Sequence, residues 1–291
     1  MSTNSDNGAP KATVCLTVDF DAVSVWMQLG ARGPKARSRG EFGAHVGAPR
    51  LLALLARYGI QTTWFIPGHT AETWPEVTAQ VAAGGHEVAH HGYLHESFET
   101  LSLDESRRIL RKGSASLERV TGQAPVGFRL PIGDARPEFF ELLVDEGFLY
   151  DSSLCGDDFG LYNCRRPDEL HDDAPNRFGE PLSLVEAPWS FIMNDFHHFE
   201  FNYGTPFLVG HDAPSAVEEQ FTEEFNYMYD EMQGGIVTVI VHPQCIGRGS
   251  RLAMLERFIR HCIGRSGTRF ATVGSVVNQY IEANRAGTGI P

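Results

Sequence analysis

From Lys11 onward the chain alternates between two hydrophobic rhythms. Short apolar runs predict strands over residues 13–18, 61–66, 86–91, 126–129, 184–187, 236–241 and 269–272. Between most of them apolar residues recur every three or four positions, which predicts amphipathic helices over 49–58, 71–83, 104–121, 137–146, 215–233, 251–265 and 273–284. Gly59, Gly84, Gly122, Gly147 and Gly234 each follow a helical pattern, where a left-handed C-cap is wanted. About seven such β/α units imply an α/β fold whose parallel sheet curls into a barrel. Residues 22–48 and 152–214 break the rhythm and read as long decorated loops, the kind that serve as lids, binding loops or oligomer contacts. The expectation is one domain over 11–291, preceded by a polar segment, 1–10, that is disordered.

Composition narrows the class and the partners. With 42% hydrophobic and 21% charged residues, the 291-residue chain reads as an ordinary globular protein. Its formal net charge of −13 repels nucleic acid and anionic membranes, so neither is expected as a partner. The basic cluster from Arg32 to Arg39 is short, contains Gly and Pro, and reads as a solvated loop. No signal-peptide pattern opens the chain and no apolar run reaches the length of a membrane span, which makes a cytoplasmic location the expectation. Cys15, Cys155, Cys164, Cys245 and Cys262 show no C-x-x-C spacing and read as reduced thiols.

The chemistry concentrates at the predicted strand ends. His86 to Glu96, HEVAHHGYLHE, packs four histidines and two glutamates into eleven residues. If its start is extended, His86, Val88 and His90 share one face and Glu87, Ala89 and His91 the other. A helical turn after Gly92 would set His91 and His95 side by side, a start for a zinc site completed by a carboxylate and a water. On its own such a histidine pair is more often a polar cap on a sheet than a metal site. In Thr17-Val18-Asp19-Phe20-Asp21 a strand runs into two acids whose carboxylates project from one side, roughly 7 Å apart. One can bind a metal while the other handles a proton, although strand-end acids commonly only cap a turn. The late strand 236–241 ends in His242-Pro243, and 126–129 ends in Arg129; parallel strands bring all these ends to one rim.

The order Asp-x-Asp, H-x-x-x-H after a Gly-His-Glu strand, Arg-x-Pro, and a late apolar strand ending in His-Pro resembles the polysaccharide deacetylase family, carbohydrate esterase family 4. The resemblance runs from about Lys11 to Asn284. VDFDAVSVWMQLG, TTWFIPGHTAETWPE and GHEVAHHGYLHE look like its intracellular branch of peptidoglycan-deacetylase-like proteins, cyclic imidases and allantoinases. That resemblance implies a distorted (β/α) barrel of about seven parallel strands. It also implies a divalent metal, best zinc, held by Asp21, His91 and His95, with Asp19 as general base, His242 as general acid and Arg129 orienting Asp19. Glu186, at a strand end, is expected to tune His242. Trp26, Trp189 and Phe191 are expected pocket walls, each with core packing as the plainer alternative. His197, His198 and His211 read as surface or loop residues.

The function expected is therefore metal-dependent hydrolysis of a non-peptide carbon–nitrogen amide bond, an N-acyl deacetylation on a small cytoplasmic substrate. Opening of a cyclic imide or amide uses the same groups and stands beside it. Two rivals are an inactive metal-binding structural subunit and a carbohydrate-binding module. The family resemblance also implies a homo-oligomer, with the two long loops as its contacts.

Overall fold

The computed structural model describes residues 10–202 and 207–287; of the segment expected to be disordered, residues 1–9 lie outside the described residues. In chain order the strands are β1 (Ala12–Asp19), β2 (Thr63–Ile66), β3 (Glu87–His90), β4 (Gly127–Phe128), β5 (Tyr150–Asp151), β6 (Tyr162–Arg165), β7 (Pro181–Glu186), β8 (Phe201–Asn202), β9 (Leu208–Val209), β10 (Gly235–Val241) and β11 (Thr268–Phe270). One sheet runs in the order β10-β1-β2-β3-β4-β5-β7-β6, with β11 also paired to β1. Every pairing in it is parallel except that of β6 with β7. An isolated bridge from Asn194 to Ile240 then reaches across the gap between β7 and β10. The result is a mostly parallel, curled sheet with its helices, the distorted (β/α) barrel that the alternation predicted.

All eight residues of β1 are buried, as a strand covered on both faces requires. Val14, Leu16 and Val18 point outward into the main core beneath the helices, with Leu51, Leu54 and Phe258 among its members. Cys15, Phe65, Ala89, Tyr150 and Val185 form a second cluster with Val273, Val276 and Val277, so the helix Val273–Arg285 closes the barrel at the strands' starting end. There Glu87 accepts hydrogen bonds from Thr63 Oγ1, Tyr150 OH and the amide of Gly274. Glu87, Ala89 and His91 are thus the inward face of the histidine-rich strand. His90 faces out and donates from Nε2 to the carbonyl of Leu110 in helix Leu103–Thr121, while its Nδ1 accepts from the amide of Gly92.

Several expectations need correction. Residues 22–48 are not a loop: they hold helices Ser24–Gln28 and Pro34–Phe42 and a π-helical turn, Gly43–Gly47, leading into Ala48–Tyr58. Pro34–Phe42 is almost wholly polar and buries only Gly40, so it offers no apolar stripe to read. The helix expected over 71–83 is two helices, Gly68–Thr73 and Pro75–Ala83, because Pro75 starts a new one. Gly84 has φ −74° and the left-handed position falls to Gly85. Residues 152–214 contain β6 to β9 and helix Asp195–Phe199. Among the described residues, no helix is long and apolar enough to cross a membrane.

β4 and β5 are only two residues long each, and their contact depends on Gly127, where an added Cβ would lie 1.9 Å from the Tyr150 ring. Gly127→Ala should therefore destabilise the fold by about 1–3 kcal/mol. Gly249→Ala, with open space around it, should stay within about 0.5 kcal/mol. Denaturant midpoints at constant m-value measure both.

Candidate active site

The C-terminal ends of β1, β3, β4 and β10 meet at the upper rim of the barrel. Asp19, Asp21, His91, His95, Arg129 and His242 are all buried there, none more than 6% exposed. His91 follows β3 directly. The chain then turns through Gly92 at φ 74° and His95 at φ 64°, so the expected helical turn is a loop with two left-handed residues. The juxtaposition survives by this other route, and the two imidazole centroids lie 5.2 Å apart.

Oδ1 of Asp21 lies 3.5 Å from Nε2 of His91 and 3.7 Å from Nε2 of His95. The three ligand atoms sit within 4.8 Å of one another. His91 donates from Nδ1 to the carbonyl of Arg129 at 2.9 Å, which leaves its Nε2 lone pair facing Asp21. Burial lowers the His91 pKa to about 4 and that of His95 well below its ordinary value, so both rings are neutral donors at neutral pH. Burial pushes Asp21 up to about 7, against the pull of His242 and with the charge of Asp19 adding to the rise. Its Oδ1 has no hydrogen-bond partner among the described residues. A buried acceptor without a donor beside two neutral imidazoles is what a divalent cation would complete, so these residues fit the metal that the motif implies.

Asp19 and His242 stand beside this group. His242 Nε2 lies 3.8 Å from Oδ2 of both Asp19 and Asp21. Arg129 Nη1 donates to Asp19 Oδ1 at 2.7 Å and to Thr17 Oγ1 at 2.9 Å. Its Nε and Nη2 bond the carbonyl and hydroxyl of Ser152, and the guanidinium lies 4.0 Å over the Phe65 ring. Burial alone would raise the Asp19 pKa, but Arg129, His91 and His242 hold it below the ordinary carboxylate value. Burial alone would lower the His242 pKa. The hydrogen bond and charge of Asp195, with Asp21 and Asp19 behind it, raise it to about 9.

Asp195 is the residue that sequence reading missed. Its Oδ1 accepts from His242 Nδ1 at 2.7 Å and from the His242 amide at 2.9 Å. Glu186, expected in that role, is turned elsewhere: it accepts from the amides of Ser153 and Leu154, beside Asp151 and Cys164. A strand-end position pointed to Glu186. Asp195 opens the short helix Asp195–Phe199, inside a stretch with no regular pattern, and only the fold places it under β10.

The site opens into a cavity of about 650 Å³. Trp189 and Phe191 line it as expected, with ring centroids 4.7 Å apart. Trp26 does not: it is fully buried in the layer behind, under the Arg39 guanidinium. His197 is exposed, and it stacks on Trp189 at the cavity wall. His198, expected at the surface or in a loop, is instead buried in helix Asp195–Phe199 and held by Asp212 and the carbonyl of Ile192, whereas His211 is exposed and packs on Phe201.

The chain is similar to known proteins over most of its length. The family model described as polysaccharide deacetylase matches residues 33–150. A peptidoglycan deacetylase of Helicobacter pylori is 32% identical over 95% of this chain and 98% of its own. A peptidoglycan deacetylase-like protein of Gibberella zeae is 33% identical over 87% and 82%. The crystal structure of a putative polysaccharide deacetylase from Mycobacterium smegmatis superposes with a TM-score of 0.81 at 32% identity, over 98% of this chain and 94% of that one. An allantoinase shares the fold at TM-score 0.77 and 21% identity, over 95% and 92%. With the Asp-x-Asp pair, the two histidines of the β3 loop, Arg129 and His242 gathered at one barrel rim, the chain belongs to the polysaccharide deacetylase family.

Proposed function

We propose that the protein is a metal-dependent hydrolase of a non-peptide carbon–nitrogen amide bond in a small substrate, with removal of an N-acyl group as the first reading. The observation that carries it is the placing of Asp19 and His242 against Asp21: an ionised carboxylate and a protonated imidazole flank the group that would hold a metal. Zinc held by Asp21, His91 and His95 would polarise the substrate carbonyl and acidify an attacking water. Asp19 is kept ionised by Arg129 and so is free to accept the water's proton. His242 is kept protonated by Asp195 and so can deliver a proton to the departing nitrogen. Neither Asp19 nor His242 is needed merely to hold an ion, which counts against an inactive metal-binding subunit.

A cyclic imide or amide is the second reading, and the aromatic lining of the cavity favours it. Trp189, Phe191, His197 and Phe207 surround the cavity, which suits a compact ring better than a polymer lying in an open groove. Phe191, Phe207 and Val209 are 60%, 63% and 71% exposed at its mouth, an apolar surface that supports a homo-oligomeric assembly.

The zinc-loaded protein should hydrolyse one arm of a paired panel: N-acetylglucosamine and chito-oligomers, or succinimide, hydantoin, dihydrouracil and allantoin. Acetate release supports the first reading and ring opening the second; binding of chito-oligomers without turnover would sink both. Asp19→Asn should lower kcat by about 10²–10⁴-fold with zinc stoichiometry kept, and unchanged turnover would remove Asp19 as base. At free zinc about 100 times Kd, unfolding stability should rise by about 2.7 kcal/mol, a gain absent from Asp21→Asn; equal gains in both proteins would place the ion elsewhere. For pH, the donating form of His242 persists below about 9 and is lost as pH rises through that value. Asp195→Asn removes the charge that raises it, so the alkaline limb of kcat should move to lower pH. A limb that stays in place would refute the pairing.

A further inference from the structure

A second cavity, of about 550 Å³, lies beside the catalytic one and has the opposite electrostatic character. Its walls carry Lys35, Arg39, Arg248 and Arg251 against one carboxylate, Glu200. In a chain with a net charge of −13, four cations around a single acid depart sharply from the average surface.

Three of the four cations are oriented by aromatic rings. The guanidinium carbon of Arg39 lies 4.3 Å from the Trp26 ring centroid, that of Arg248 3.5 Å from Phe42, and that of Arg251 4.4 Å from Phe199. Stacking occupies the flat face of a guanidinium and leaves its N–H edge able to fork around an oxyanion. The edge of Arg39 meets Glu200, and Arg251 donates to the carbonyls of Cys245 and Phe199. Lys35 and Arg248 have no acidic partner among the described residues. Burial is the main cause that holds Arg39 and Arg248 below the ordinary arginine pKa, and the neighbouring arginines add to it.

We propose that this cavity is a binding site for a small oxyanion carrying at least two negative charges, phosphate or dicarboxylate, seated on Lys35, Arg248 and the neighbouring arginines. Its link to the catalytic site is short. Glu200 lines both cavities, and Gln244, in the wall of the second, donates to Asp21 Oδ2 at 3.2 Å. Glu200 is buried and its Oε2 also accepts from Cys245 Sγ at 3.0 Å, so an anion that bonds Arg39 meets a carboxylate held in place beside it. The site does not depend on which amide the enzyme cleaves.

The test is calorimetric titration of the metal-loaded protein with sodium phosphate and, separately, sodium succinate, each against sodium chloride at matched ionic strength. One saturable site is expected with at least one of the two and none with chloride. Phosphate alone would identify a phosphoryl ligand, and succinate binding a carboxylate one. Lys35→Gln combined with Arg248→Gln should raise Kd at least about tenfold, and either change alone should raise it by less, each lost charge-assisted contact being worth up to about a factor of ten. Binding unchanged in the double variant would place the anion at the metal centre and overturn the proposal. Heats equal to the chloride control, or unchanged affinity in both single variants, would also overturn it.

Discussion

The active site depends on one buried guanidinium. Arg129 enters the barrel at the end of a two-residue strand, with its amide bonded to the carbonyl of His90 and its side chain laid over Phe65. Its side chain fixes Asp19 and its own carbonyl fixes the ring of His91. The expected proton acceptor and an expected metal ligand are thus set by two ends of the same residue. Removing one partner of such a buried pair leaves an uncompensated charge, at a cost of about 3–5 kcal/mol. Thr17 and both polar groups of Ser152 complete the guanidinium's contacts, which explains how the charge is tolerated so deep in the barrel.

Around that anchor the site keeps two opposite protonation states apart over less than 4 Å. Asp19 is drawn toward the ionised form by a cation that cannot lose its proton, and His242 toward the protonated form by a carboxylate on its far side. Asp21 sits beside them with one oxygen receiving Gln244 and the other without a donor among the described residues. A divalent ion held with His91 and His95 would partner that second oxygen. Burial opposes both charged forms, and the neighbouring charges overcome it because their fields are little screened in the dry barrel.

Most of the barrel was legible because β1 and β10 are long, covered on both faces and bounded by helices with clear apolar stripes. β5 was not, since Tyr150 and Asp151 form too short a run to show a period, and Pro34–Phe42 was not, since it is a helix with almost nothing to bury. In the site, the residue types and their order along the chain carried the reading. The backbone route was misread: a spacing of four suggested a helical turn, whereas two left-handed residues deliver His95 to the same place. Asp195 lay beyond reach because its partner is 47 residues away and only the bridge from Asn194 to Ile240 brings them together. Glu186 attracted attention by position, but position in a strand does not say which way a side chain turns at its end.

The order of the sheet has a consequence for synthesis. β1 lies between β10 and the pair β2 and β11, so one whole edge of the first strand waits for residues 235–241. At about 5–20 residues per second, the interval between Asp19 and Val241 leaving the ribosome is roughly 10–45 s. For that time a fully buried strand of the barrel, which carries Asp19 at its end, has an open hydrogen-bonding edge that its neighbour in the finished sheet cannot yet cover. The protein's greatest exposure to misassembly therefore comes during translation, and its remedy is held by the last quarter of the chain.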